Sequence, residues 1–143
     1  MSKLFKLFKL SLYQHKLLSF AIALLLLAAC SKKSPEQQAA EAAVAYYQHL
    51  VEGYPEGFLE GKVGVDNLPS DYCDQLLAVY KQYIDELQKK HQGLQRVRIA
   101  DNVGRRDTLQ HLMYTFLLLS YGDSTQEEIT VPMVEVDGEW KMK

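Results

Sequence analysis

The sequence is poor in the residues that staple small domains or hold metals: its 143 positions include two cysteines, four histidines, four prolines and one tryptophan. Two cysteines, Cys30 and Cys73, permit no disulfide framework. His49, His91 and His111 stand alone, without the paired His or Cys spacing of a zinc site, so no metal and no other cofactor is expected. No apolar run approaches the ~20 residues that span a bilayer as a helix. There are no internal repeats and no low-complexity tracts. Acidic residues are missing altogether before Glu36, and that absence divides the chain in two.

The first part carries Lys3, Lys6, Lys9 and Lys16, followed by the apolar run from Leu17 to Ala29 that ends in small residues. A basic stretch before an apolar segment of ~7–15 residues is the pattern of an export signal. The run closes on Leu27-Ala28-Ala29-Cys30, which resembles the lipobox of bacterial lipoproteins. That resemblance implies a signal peptide over 1–29, lipid modification of Cys30, and a short tether over 30–34. One acyl chain holds a protein to a membrane only marginally, whereas two or more hold it firmly, at about 0.8 kcal/mol per buried methylene. Ser31 at the position after the anchor implies, by the sorting rules of such lipoproteins, the outer membrane, with the domain facing the periplasm.

Beyond the anchor the balance of charge reverses. Four of the sixteen Lys and Arg precede Cys30 and all eighteen acidic residues follow it, so the remainder is formally six negative charges in excess. An acidic domain without clustered Lys or Arg is a poor fit to nucleic acid or to anionic lipid. With Cys30 assigned to lipid, Cys73 has no partner in the chain, and its place in an apolar helical stripe makes it a small buried hydrophobe.

The remaining residues, 35–143, are enough for one domain. Ser34-Pro35-Glu36-Gln37 reads as a capped helix start, with Gln37 able to complete a capping box. Ala40, Ala43, Val44, Tyr47, Leu50 and Val51 follow at helical spacing until Gly53. A short helical turn over Pro55 to Leu59 precedes Gly61. Ser70 opens a long helix whose stripe is Cys73, Leu76, Leu77, Tyr80, Tyr83, Ile84 and Leu87, with Lys89, Lys90 and His91 complementing its C-terminal dipole before Gly93. The period then shortens to two. A first strand through Val97, Ile99 and Val103 is expected to turn at Gly104-Arg105-Arg106-Asp107, a long second strand to run from Thr108 to Tyr121, and a third from Glu128 to Val136. Asp137-Gly138 signals a two-residue hairpin into a fourth strand over Glu139 to Lys143. Helices followed by a four-stranded antiparallel meander give an α+β fold, with the helices over one face of the sheet.

This order, together with the closing Val136-Asp137-Gly138-Glu139-Trp140-Lys141, resembles the nuclear-transport-factor-2-like (NTF2-like) superfamily, in which a curved sheet wraps helices into a cone. The opening Tyr46-Tyr47-Gln48-His49-Leu50-Val51-Glu52-Gly53 and the closing Gly138-Glu139-Trp140-Lys141 are similar to small exported lipoproteins with domains of unknown function. The resemblance implies a pocket in the cone, and in enzymes of the superfamily a carboxylate paired with a His or Tyr. The residues able to serve such a pocket are Tyr47, Tyr80, His111 and Tyr114 as ligand contacts, and His111 or Asp101 as a base. No catalytic motif joins them, and His111 and Tyr114, separated by an odd number of residues, fall on opposite faces of a regular strand. Arg105, Arg106 and Asp107 read as a charged turn or an anion site.

In the long strand Leu109, Met113, Leu117 and Leu119 alternate with Leu112, Phe116 and Leu118, so both sheet faces call for cover. Helices supply one; a second copy of the chain or another envelope protein would supply the other. The expected function is a non-catalytic, lipid-anchored periplasmic domain binding a small apolar ligand or an envelope protein, with a homodimer implied by the superfamily resemblance. An enzyme of the same fold working by acid–base chemistry on a small hydrophobic substrate, and a structural envelope component, are the alternatives.

Overall fold

The computed structural model describes residues 32–143. The signal segment 1–29 and the lipidated Cys30 inferred above lie outside the described residues. Ser34–Lys143 forms one compact unit, built from helix α1 (Pro35–Val51), short helix α2 (Pro55–Glu60), a 3-10 turn (Val65–Asn67), helix α3 (Ser70–His91) and strands β1 (Leu94–Asp107), β2 (Leu112–Tyr121), β3 (Gln126–Val136) and β4 (Glu139–Met142). The four strands form one antiparallel sheet in the order β1-β2-β3-β4. The architecture is the expected α+β meander with helices on one face. No described helix is long and apolar enough to cross a membrane.

α1 starts where its chemistry dictates. The Ser34 hydroxyl accepts the Gln37 backbone N–H at 3.2 Å, and Pro35 occupies the first helical position. The Gln37 side chain does not complete a capping box. It donates forward to Glu41 Oε1 at 3.0 Å, one helical turn on. Ala39, Ala40, Ala43 and Leu50 are buried against the sheet, where small side chains let the helix approach closely. α2 and its C-cap residue pack on α1 through two glycines: a Cβ on Gly57 would lie 2.6 Å from the His49 ring, and one on Gly61 would overlap the Tyr46 ring.

β1 departs from the expected boundary. Gly104 to Asp107 do not turn the chain; they pair with Thr115 to Leu112, and the turn falls at residues 108–111. The ladder reaches them across a bulge in which Ala100 to Val103 face only Phe116, between the pairs Ile99↔Leu117 and Gly104↔Thr115. A bulge of this kind bends and twists its strand. Gly104 is needed there for close approach rather than for a turn, since a Cβ would lie 2.8 Å from the Tyr114 carbonyl oxygen. Asp107 is a turn residue of a different turn: its Oδ1 accepts the N–H groups of Leu109 (2.9 Å) and Gln110 (3.0 Å). Leu109 therefore sits at the turn, 92% exposed, and takes no part in the strand's inward row.

That inward row is Met113, Thr115, Leu117, Leu119 and Tyr121, all buried. Thr115, the one polar member, donates its hydroxyl to the Val131 carbonyl at 3.1 Å. Val131, Met133 and Met142 continue the core across β3 and β4. The β3–β4 connection is the predicted two-residue hairpin, with Val136 paired to Glu139 and positive φ at both Asp137 (51°) and Gly138 (83°). Residues 61–63 then lie beside β4, with Met142 N–H bonded to the Gly61 carbonyl and Val63 N–H to the Met142 carbonyl, both at 2.8 Å.

On the other sheet face Tyr114, Phe116 and Leu118 are half-buried rather than bare. Their cross-strand neighbours include Arg98 and Arg105 on β1 and Glu128 and Thr130 on β3, and the aliphatic stems of such residues shield apolar neighbours while their charges stay in water.

Candidate ligand cleft

α3 is fastened to the sheet at its C-terminal end. Leu87 is its one buried residue, Gln92 and Gly93 turn out of it with φ of 58° and 85°, and the β2–β3 turn is bonded back through Gly122 N–H to the Gly93 carbonyl (2.9 Å) and Asp123 N–H to the His91 carbonyl (3.0 Å). His91 does more than complement its helix terminus: Nδ1 lies 2.9 Å from Asp123 Oδ2, and the ring stacks on Tyr121 with centroids 4.8 Å apart. Asp123 also accepts from the Thr125 hydroxyl (2.6 Å) and backbone N–H (3.0 Å). These hydrogen bonds from Thr125, then the one from His91, hold the Asp123 pKa down to about 2.

Further toward its N-terminus α3 stands off from the sheet. Between it, α1, α2 and β3 opens a cleft of about 390 Å³, lined by Tyr47 and Leu50 of α1, Phe58 of α2, Lys62, Val79, Tyr80 and Tyr83 of α3, and Glu127, Ile129 and Thr130 of β3. Phe58 is the hinge of its aromatic wall, meeting Tyr47 edge-on at 5.1 Å and Tyr80 edge-on at 5.0 Å. Glu127 pairs with Leu119, which places it in the inward row of β3, and its Oε2 accepts the Tyr121 hydroxyl at 2.8 Å. Lys62 Nζ lies 5.4 Å from the Phe58 ring centroid.

Burial sets the protonation of this group. It raises the Tyr47 pKa to about 12, aided by the neighbouring Tyr83, Tyr80 and Glu127, and raises those of Tyr80 and Tyr83. The Tyr121 hydroxyl is held protonated by burial and then by its bond to Glu127. Desolvation pushes the Lys62 ammonium below the usual lysine value. The cleft thus offers apolar aromatic walls, neutral phenol donors, one carboxylate and one cation.

Of the residues singled out from sequence, the structure brings Tyr47 and Tyr80 together and leaves the others elsewhere. His111 is exposed in the 108–111 turn with φ 54°, beside a separate depression of about 440 Å³ shared with Arg106, Val134 and Trp140. Tyr114 is on the outer sheet face, where its hydroxyl meets Gln110 Oε1 at 3.3 Å and the Arg105 guanidinium lies 5.9 Å from its ring. Asp101 projects from the β1 bulge into solvent, 4.0 Å from Arg98. Among the described residues no three His, Cys, Asp or Glu are grouped to hold a metal.

Phe58, Lys62, Tyr83 and Glu127 were not foreseen as site residues. Tyr83, one turn from Tyr80, could have been read from helical spacing. Glu127 precedes the strand start expected at Glu128, yet it is in phase with Ile129, Val131 and Met133, and extending that alternation back by one step would have turned it inward.

Helices packed on a four-stranded antiparallel meander, with a cleft left between helix and sheet, give the domain an α+β fold. A solved structure from Campylobacter jejuni, described provisionally as an NTF2-like transpeptidase, superimposes with a TM-score of 0.55 over 71% of this chain and 94% of its own, at 10% sequence identity. That likeness is one of fold. No protein-family model matches the sequence, and no curated protein matches it.

Proposed function

We propose that this protein is a lipoprotein, tethered through Cys30 to the outer membrane and facing the periplasm, whose NTF2-like domain binds a small, largely apolar ligand in the tyrosine-lined cleft without transforming it. The observation that carries the reading is the cleft itself: Tyr47, Phe58, Tyr80 and Ile129 converge on an open space of about 390 Å³ instead of closing it. Ligand sites combine such apolar walls with a few placed polar groups. The lipobox-like Leu27-Ala28-Ala29-Cys30 and the acidic balance of the remaining chain support the anchor and argue for lipid, rather than surface charge, as the membrane attachment.

Native mass spectrometry of the Ser34–Lys143 domain, exposed to an extract of its own cell envelope, tests this. A defined added mass that disappears in Tyr47→Ala is the expected result. Failure to take up any mass would sink the ligand reading. The same spectrum reports whether a second copy covers the outer sheet face at Tyr114, Phe116 and Leu118.

An enzymatic role is the second reading, and Glu127 is the observation that favours it. It is the carboxylate in the cleft, with phenol donors nearby, whereas Asp101 and His111 lie outside. Conversion of the bound compound by the wild-type domain but not by Glu127→Gln would establish it.

A further inference from the structure

We infer that the ligand of this cleft is an amphipathic monoanion, with a carboxylate-type head on Lys62 and an apolar body along Tyr47, Phe58, Tyr80 and Ile129. The inference rests on the reading of the cleft as a binding site and names the class of molecule it takes. Lys62 lines the cleft half-buried, and no ion pair or side-chain hydrogen bond among the described residues engages its ammonium. Its ammonium lies over the face of Phe58. Removing an ammonium from water without an anionic partner is costly, and a ligand that brings the anion relieves that cost.

The position of Lys62 is set by backbone bonds, not by a mobile loop. Its flanking residues Gly61 and Val63 are hydrogen-bonded to Met142 of β4, which pairs with Met133 of β3. Glu127 is six residues back along β3, roughly 20 Å at strand rise, and is already engaged by Tyr121. The cation thus comes to the cleft from the segment beside β4 and the carboxylate from β3. A ligand carboxylate is drawn toward Lys62 and repelled from Glu127, which orients the molecule. Between them the phenols of Tyr47, Tyr80 and Tyr83 have no side-chain hydrogen bond of their own and are free to donate. A single ammonium matches a single negative charge, and the apolar lining matches a hydrocarbon or aromatic body better than a small inorganic ion.

Isothermal titration of the Ser34–Lys143 domain with decanoate and with decanol, both below their aggregation concentrations, separates head from body. Decanoate is expected to bind about tenfold more tightly than decanol, the factor that one charge-assisted contact commonly supplies. Lys62→Met, which keeps an apolar stem in place, should reduce decanoate to the level of decanol while leaving decanol unchanged, and Lys62→Arg should restore the preference. Equal binding of the two probes by the wild-type domain would overturn the assignment of the head group and leave the cleft as a neutral apolar site. Equal loss of both probes in Lys62→Met would likewise count against a charge-specific role. Binding of neither probe would overturn the head group and the cleft reading together.

Discussion

α1 and α3 pack in opposite ways, although α3 has the longer apolar stripe. α1 presents alanines and buries Ala39, Ala40 and Ala43 completely, whereas α3, twenty-two residues long, buries Leu87 alone and leaves Leu76, Leu77, Tyr80 and Ile84 half-covered. Small side chains let a helix lie directly on the sheet. Tyrosines and leucines facing a third element, with Phe58 between, hold the helix away and keep a space open. A stripe of apolar residues thus specifies a helix with a preferred face, but the size of the side chains decides whether that face becomes core or cavity wall.

The sharpest way to break this comparison is to truncate one side chain in the sheet core on which α1 lies and one on the stripe of α3. Leu117→Ala, at a wholly buried position, is expected to cost about 2–5 kcal/mol. Leu76→Ala, on a face already partly in water, should cost less than ~1 kcal/mol, since less apolar area is lost. Urea unfolding of both variants measures the difference, and similar costs would mean that α3 is packed as firmly as the sheet. A second effect concerns the fastened end of α3. A Cβ on Gly122 would overlap the Gln92 backbone carbonyl, so Gly122→Ala should destabilise by about 1–3 kcal/mol through overpacking and raise amide exchange in residues 87–93. Unchanged exchange there would detach the turn from the helix.

The smallest expected effect is electrostatic. Asp123 has its pKa lowered from 3.8 to about 2 in the folded domain. Its contribution to stability is therefore complete above the unfolded value and fades as pH falls through the folded one. Stability measured between pH 5 and pH 2 should decline less in Asp123→Asn than in the wild type. Parallel curves would show that the Thr125 and His91 contacts do not favour the carboxylate.

Much of the fold was legible because it depends on neighbours in the chain. Ser34 capping α1, Gly53 at the exit of α1, the long helix from Ser70 to His91 and the Asp137-Gly138 hairpin each follow from local backbone chemistry. The β1–β2 boundary was not legible. Gly104-Arg105-Arg106-Asp107 has the composition of a turn, but the bulge at Ala100 to Val103 carries those residues back into register with β2, and the close approach of Tyr114 explains the glycine. Of the candidate site, Tyr47 and Tyr80 were recognisable as helix tyrosines with polar tips, while His111 and Tyr114 were expected beside them on the assumption of a strand that begins at Thr108. The turn at residues 108–111 takes His111 out of the strand, while Tyr114 stays in β2 in phase with Phe116 and Leu118 on the outer sheet face.

By itself the sequence determined an apolar, lipobox-like leader pattern, the helices, the meander and the acidic balance of the domain, because periodicity, capping residues and turn chemistry act over a few bonds. Only the tertiary structure decided that Phe58, Lys62, Tyr83 and Glu127 meet Tyr47 and Tyr80 around one space. That meeting depends on the inward register of β3, on the bonds that tie residues 61–63 to β4 and on the stand-off of α3, all contacts between segments distant in the chain.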